Sequence, residues 1–175
     1  MPARRIKQSE KLLRIIEGLA EEIGVYLDYG KMRQRLHGSW DYETNFSKAI
    51  ANAKRYGYLE IVEKDNKKSI LITKKGRFRI WKPRIVKEWD GRWRLVGFDI
   101  PEKRRKKRDS FRTALRAMGF KQMQKSLWIC PYDVSEEIEK VMDMLDLEYE
   151  IDYFIADAIT NKEKYIDLFD LNQQK

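Results

Sequence analysis

Only one cysteine, Cys130, and one histidine, His37, occur in the whole sequence. A single thiol closes no internal disulfide, and a Cys/His zinc site needs more such ligands than one chain of this composition holds. A Ser-His-Asp set would have to be built on His37 alone. No glycine-rich phosphate loop is present. No apolar run approaches the roughly 20 residues that span a bilayer. The N-terminal stretch MPARRIKQSE lacks the apolar segment of a secretory signal. With the lone thiol, these absences lead to the expectation of a cytoplasmic protein without a cofactor.

What is abundant is positive charge. Lys and Arg exceed Asp and Glu by 37 to 28, for a net charge of +9. That surplus attracts polyanions, either nucleic acid or an anionic membrane surface. No basic amphipathic helix carries the bulky apolar face that membrane docking requires, so nucleic acid leads and no membrane partner is expected. Hydrophobic residues make up 42% of the 175 residues, enough for the core of one domain or of two small ones.

The first 80 residues carry the spacing of a winged helix-turn-helix. Ser9 is placed to cap a helix whose apolar positions are Leu12, Ile16, Leu19, Ala20 and Ile23, ended by Gly24. A short apolar patch, Val25 to Leu27, comes before a brief second helix around Lys31–Leu36. His37 and Trp40 read as packing residues beside the turn that follows. A third helix, about Tyr42–Tyr56, repeats Phe46, Ala49, Ile50 and Ala53 at i, i+3, i+4 and i+7, and Gly57 stops it. Its opposite stripe is Asn45, Lys48, Asn52 and Arg55. Two strands follow, Tyr58–Lys64 and Lys68–Thr73, joined by Asp65-Asn66-Lys67. Three helices and then a hairpin is the winged-helix order, in which the helix before the hairpin enters the major groove of DNA. Asn45, Asn52 and Arg55 carry groups that suit base edges, whereas Lys48 and the wing residues Lys64, Lys67 and Lys68 suit phosphates. The competing interpretation is a solvated face of an amphipathic helix.

Residues 81–90 read as a linker. Around it Arg77, Arg79, Lys82 and Arg84 are spaced to follow a phosphate backbone, and Trp81 and Trp89 to pin the two domains together. Residues 91–157 then give the order βαββαβ of a ferredoxin-like unit, so the fold class is α+β. Its first strand, Trp93–Ile100, puts Val96, Phe98 and Ile100 on one face and Trp93, Leu95, Gly97 and Asp99 on the other. A helix over Lys103–Met118, strands Phe120–Gln124 and Leu127–Pro131, and a helix with a capping-box spacing at Asp133–Glu136 come next. A last strand alternates Tyr149, Ile151, Tyr153 and Ile155. Residues 158–175 form a tail in which Thr160–Glu163 has the capping-box spacing for one short helix. Helices cover one face of such a sheet, so Trp93, Leu95 and Gly97 mark the other as a homodimer interface. Lys103 to Arg108 are six consecutive cations at a helix start, where the helix dipole disfavours them by about 0.3–1 kcal/mol each. Arg104 and Arg105 are thereby candidates to hold an anionic backbone, with a plain solvated cluster as the alternative.

Several of these residues carry a family resemblance. Trp93-Arg94-Leu95-Val96, Phe98-Asp99-Ile100-Pro101-Glu102, Gly119-Phe120 and Gln124-Lys125-Ser126-Leu127-Trp128 resemble the middle domain of PaaX-type repressors. With the winged helix, the resemblance spans about residues 9–157. That middle domain is similar to the small CRISPR-associated nuclease subunit of spacer acquisition. There, an aspartate at the end of the first strand faces its symmetry mate and the pair binds a divalent metal; Asp99 is the matching position. PaaX-type repressors continue into a further domain, whereas this chain stops after TNKEKYIDLFDLNQQK, so an acyl-coenzyme A response tied to that domain is not expected. The CRISPR subunits normally have no winged helix. Two functions stay open: a dimeric, sequence-specific regulator bound to double-stranded DNA, or a nuclease using Asp99 with Mg²⁺ or Mn²⁺ across a dimer. One carboxylate per chain is sparse for hydrolysis. The sequence specifies no small-molecule effector.

Overall fold

The computed structural model describes residues 10–16, 18, 27–28, 30, 34, 42–64 and 66–173. The expected Ser9 cap, His37, Trp40 and Asp65 lie outside them, as does the second helix at Lys31–Leu36 except for Gln34, which is helical. The chain divides into two compact units, Met1–Trp81 and Lys82–Lys175.

In the first unit, residues 10–16 are helical (α1), and β1 covers Leu27–Asp28. Next come α2 at Tyr42–Arg55, β2 at Leu59–Lys64, β3 at Lys67–Ile72 and α3 at Lys74–Ile80. The strands form one antiparallel sheet in the order β1-β3-β2, with Leu27 opposite Ile70 and Ile61 opposite Ile70 from the other side. Leu12, Leu13 and Ile16 of α1 bury against Phe46, Ala49, Ile50 and Ala53 of α2 and against Leu59, Ile70 and Ile80. This is the apolar stripe of each helix meeting the inner face of the hairpin. The hairpin closes on Lys64 opposite Lys67, with Asn66 left-handed (φ 57°), a conformation asparagine tolerates well.

Helix α3 is locked to the end of α2. Thr73 caps it by accepting from the Gly76 N–H and donates its own hydroxyl to the Gly57 carbonyl at 2.7 Å. Gly76 is dictated by contact: a Cβ there would lie 2.0 Å from the Tyr58 carbonyl oxygen.

The second unit holds β4 (Trp89–Phe98), a 3₁₀ turn (Glu102–Arg104), α4 (Arg105–Ala117), β5 (Lys121–Gln124) and β6 (Leu127–Tyr132). It continues with α5 (Ser135–Leu145), β7 (Ile151–Ala156), α6 (Lys162–Leu168) and a last 3₁₀ turn (Leu171–Gln173). Its sheet is fully antiparallel in the order β5-β6-β4-β7, the arrangement of a ferredoxin-like unit. Phe98 meets Phe111 of α4 edge-on at 5.5 Å on the helix-covered face.

Several sequence expectations shift. Strand β4 starts at Trp89, because Asp90-Gly91 runs on as strand, with an irregularity in the β4–β6 pairing between Trp89 and Arg94. Tyr149 is fully exposed and outside β7, and Ile155 is half-exposed within it. Neither capping box forms: Asp133 accepts from both the N–H and the hydroxyl of Ser135 instead, and Asn161 offers no side-chain cap. Trp81 stacks on Phe78, and Trp89 leans on Trp93.

The largest correction concerns the second sheet face. Trp93 is 0% exposed, covered by Tyr165, Phe169 and Leu171 of the C-terminal segment. Leu95, Ala156 and Ile166 pack against the same cluster. An apolar sheet face needs a cover, and at Trp93 the chain supplies its own. Trp93 is therefore no free interface residue. Leu95 and Gly97 stay half-buried beside Phe154, which is half-exposed.

Candidate nucleic-acid interface

Helix α2 separates its two stripes cleanly. Phe46, Ala49, Ile50 and Ala53 are buried, while Lys48 and Arg55 are exposed and Asn52 is half-buried on the side away from the core. Asn45 sits one turn before Lys48 on the same helix. Arg55 lies over the Tyr56 ring at 5.1 Å and donates to the Tyr56 hydroxyl at 3.3 Å, which holds its guanidinium near the helix end. Lys54 and Arg55 also complement the negative pole of the helix. On the hairpin, Lys67 and Lys68 are exposed and Lys64 ends β2 opposite Lys67. Among the described residues, Lys48, Lys67 and Lys68 form no ion pair. Arg79 is engaged elsewhere, paired with Glu10 at 2.6 Å.

The run Lys103–Arg108 is differently placed. Arg104 pairs with Glu150 and also donates to the Asp146 carbonyl. Lys107 reaches the Asp146 carboxylate at 2.9 Å, and Arg108 the Glu102 carboxylate at 2.7 Å and the Ile100 carbonyl at 3.2 Å. Glu102 is held below the usual carboxylate range by that Arg108 contact. Arg105 is exposed, with Asp109 3.8 Å away. Four of the six cations thus already have acidic partners, Arg105 by the longest contact, which offsets their unfavourable position at the helix start. Arg104 is corrected from a free phosphate ligand to a residue bound into the fold; Arg105 keeps its exposure.

Sequence reasoning missed the strongest electrostatic group in this unit. Arg94 is 3% exposed and binds Asp90 through both terminal nitrogens, at 2.6 and 2.8 Å, with Asp133 at 3.4 Å. The Arg94 guanidinium pulls the Asp90 carboxyl down to about 2, and Asp90 in turn raises Arg94 further. Asp133 is lowered too, first by Ser135, whose hydroxyl lies 3.1 Å from that of Tyr153. The part of this that the sequence does show is an aspartate, Asp90, four residues before Arg94 on the same strand.

Asp99 follows β4 and is exposed, its backbone N–H donating to the Glu150 carbonyl. Among the described residues no three His, Cys, Asp or Glu side chains converge into a metal-binding group. Cys130 is fully buried, its thiol pushed up to about 11 by burial, which makes it a packing residue and not a nucleophile. No helix among the described residues is long and apolar enough to cross a membrane.

No curated protein matches the chain. Residues 86–166 match the family model described as the PaaX protein central Cas2-like domain. That stretch begins before β4 and reaches into α6, and it takes in the whole antiparallel sheet with both of its covering helices. Residues 86–166 are accordingly similar to the central Cas2-like domain of PaaX proteins.

Proposed function

We propose that this protein is a sequence-specific DNA-binding transcriptional regulator, with residues 1–80 acting as a winged helix. The observation that carries the reading is α2. It is a basic helix directly before a β-hairpin, with one face buried on that hairpin and Lys48, Asn52 and Arg55 on the other. In this reading Asn45, Asn52 and Arg55 address base edges, and Lys48, Lys64, Lys67 and Lys68 address phosphates. The association of PaaX-type proteins with transcriptional regulation supports it. The protein acts as a homodimer, using the rim of the second sheet face beside its C-terminal cover, where Leu95 and Gly97 are half-buried and Phe154 is half-exposed, so that two α2 helices reach two half-sites.

The experiment is a selection of bound duplexes from a random pool, followed by mobility-shift titration of the selected and scrambled sites. A palindromic consensus, with discrimination lost in Asn52→Ala and Arg55→Ala, is the expected result. Enrichment of no sequence sinks the assignment. Leu95→Lys should turn a dimer into monomers in sedimentation; a wild-type monomer at micromolar concentration removes the dimer. The nuclease reading predicts Mg²⁺- or Mn²⁺-dependent cleavage that Asp99→Asn abolishes. The regulator leaves DNA intact in both forms.

A further inference from the structure

Helix α4 carries a second basic face that the winged-helix reading does not use. Arg105, Asp109, Arg112 and Arg116 recur at i, i+4, i+7 and i+11, which places them along one stripe. Phe111, Ala114 and Leu115 are buried on the other side. Eleven residues of helix span about 16 Å, the axial length of about five base-pair steps at about 3.4 Å each. The hairpin β5–β6 extends the stripe sideways. Arg112 donates to the Lys125 carbonyl at 3.3 Å, and Arg116 shares a surface groove with Lys121, Gln122 and Trp128. Two acids among the described residues face this surface: Asp109, 3.8 Å from Arg105 and 3.9 Å from Arg112, and Glu102, whose carboxylate is held first by Arg108 and also feels Arg105 and Lys125.

The stripe is held in place by packing. Arg112 lies 5.6 Å over the Phe98 ring and Arg116 5.3 Å over the Trp128 ring. Those two rings are 7% and 2% exposed, so they cannot serve as stacking platforms for unpaired bases. A rigid row of cations without exposed aromatics fits the continuous phosphate ridge of a duplex better than single-stranded nucleic acid.

We infer that the α4 face, with Arg105, Arg116, Lys121 and Lys125 as its contact residues, is a second, sequence-independent docking surface for the backbone of duplex DNA. This rests on the reading of the protein as a DNA binder. The central domain then adds affinity and salt sensitivity without adding sequence information.

The test is fluorescence anisotropy of the full chain on a random-sequence 40-base-pair duplex across a salt series. Wild type is compared with Arg116→Gln/Lys121→Gln/Lys125→Gln. A control, Arg92→Gln/Lys162→Gln/Lys164→Gln, removes the same charge elsewhere. Each lost phosphate contact lowers the slope of log K against log salt by about 0.9, so the α4 triple variant should lose about two to three units of slope. The control should keep the wild-type slope, and discrimination between selected and scrambled sites should be the same in all three proteins. An unchanged slope in the α4 variant, alongside a reduced slope in Lys67→Gln/Lys68→Gln, overturns this surface and leaves the winged-helix reading standing. A wild-type chain that binds no duplex overturns both. Displacement of the duplex by an equal-length single-stranded RNA overturns the choice of duplex as occupant.

Discussion

The two basic regions of this chain carry their charge in opposite ways. On α2 and its hairpin, Lys48, Lys67 and Lys68 are exposed and form no ion pair among the described residues. In the run Lys103–Arg108, Glu150, Asp146 and Glu102 pair with Arg104, Lys107 and Arg108. Deeper in the same unit, Arg94 is buried between Asp90 and Asp133. A free cation at the surface keeps most of its attraction for a phosphate, whereas a paired one has exchanged part of it for stability. Density of positive charge along a sequence therefore does not rank candidates for DNA contact. The acids that the fold brings near them do.

The sharpest way to break this contrast is Asp90→Ala. It leaves Arg94 desolvated, with only the 3.4 Å contact to Asp133 as ion pair. Losing a buried partner costs about 3–5 kcal/mol, and the half-exposed Asp90 reduces this to about 2–4 kcal/mol. Urea unfolding followed by tryptophan fluorescence measures it; stability equal to wild type contradicts a structural role for the pair. The pH dependence has a definite sign. Asp90 titrates at about 2 in the fold against an ordinary 3.8, so its contribution is full above pH 4 and disappears as pH falls toward 2. Asp90→Ala should flatten the acid limb of the stability profile in that window.

Next in size are Asn52→Ala and Arg55→Ala. Each should lose about 1–3 kcal/mol of discrimination, roughly 5- to 150-fold, while the melting temperature stays within a few degrees. A loss of stability without a loss of discrimination would move these residues from recognition to architecture.

Glu150→Gln tests whether a paired cation can be returned to DNA. Neutralising this partly buried partner of Arg104 should cost about 1–2 kcal/mol of stability. It should also steepen the salt dependence of duplex binding by up to about 0.9 units of slope. No change in slope means that Arg104 remains out of reach of DNA. The smallest effect belongs to Lys67→Gln, with stability unchanged within about 0.5 kcal/mol and the slope reduced by about 0.9.

Much of this was legible before any coordinates. The i, i+3, i+4, i+7 repeat of Phe46, Ala49, Ile50 and Ala53 marked both the buried face of α2 and, by exclusion, its polar stripe. The period-2 pattern of Val96 and Phe98 likewise marked the helix-covered face of the second sheet. The arginine stripe of α4 was equally periodic, but six adjacent cations at the helix start drew attention away from it. Arg94 was only half legible: Asp90 lies four residues before it on the same strand, but Asp133, 39 residues away, comes from another strand end.

The sequence by itself determined the order of helices and strands in the second unit, the α+β class, the charge surplus and the buried faces of α2 and α4. These follow from local periodicity and composition, which need no knowledge of what lies across the fold. Only the tertiary structure decided which cations are neutralised, and it was the fold that turned Trp93 from an interface candidate into core. Both outcomes depend on segments far apart in the chain. Glu150 and Asp146 reach the start of α4 through the turn before β7 and the end of α5. Tyr165 and Phe169 reach Trp93 from the C-terminal segment. An apolar face or a charged run states a demand for a partner; the tertiary fold determines whether the chain meets that demand from within.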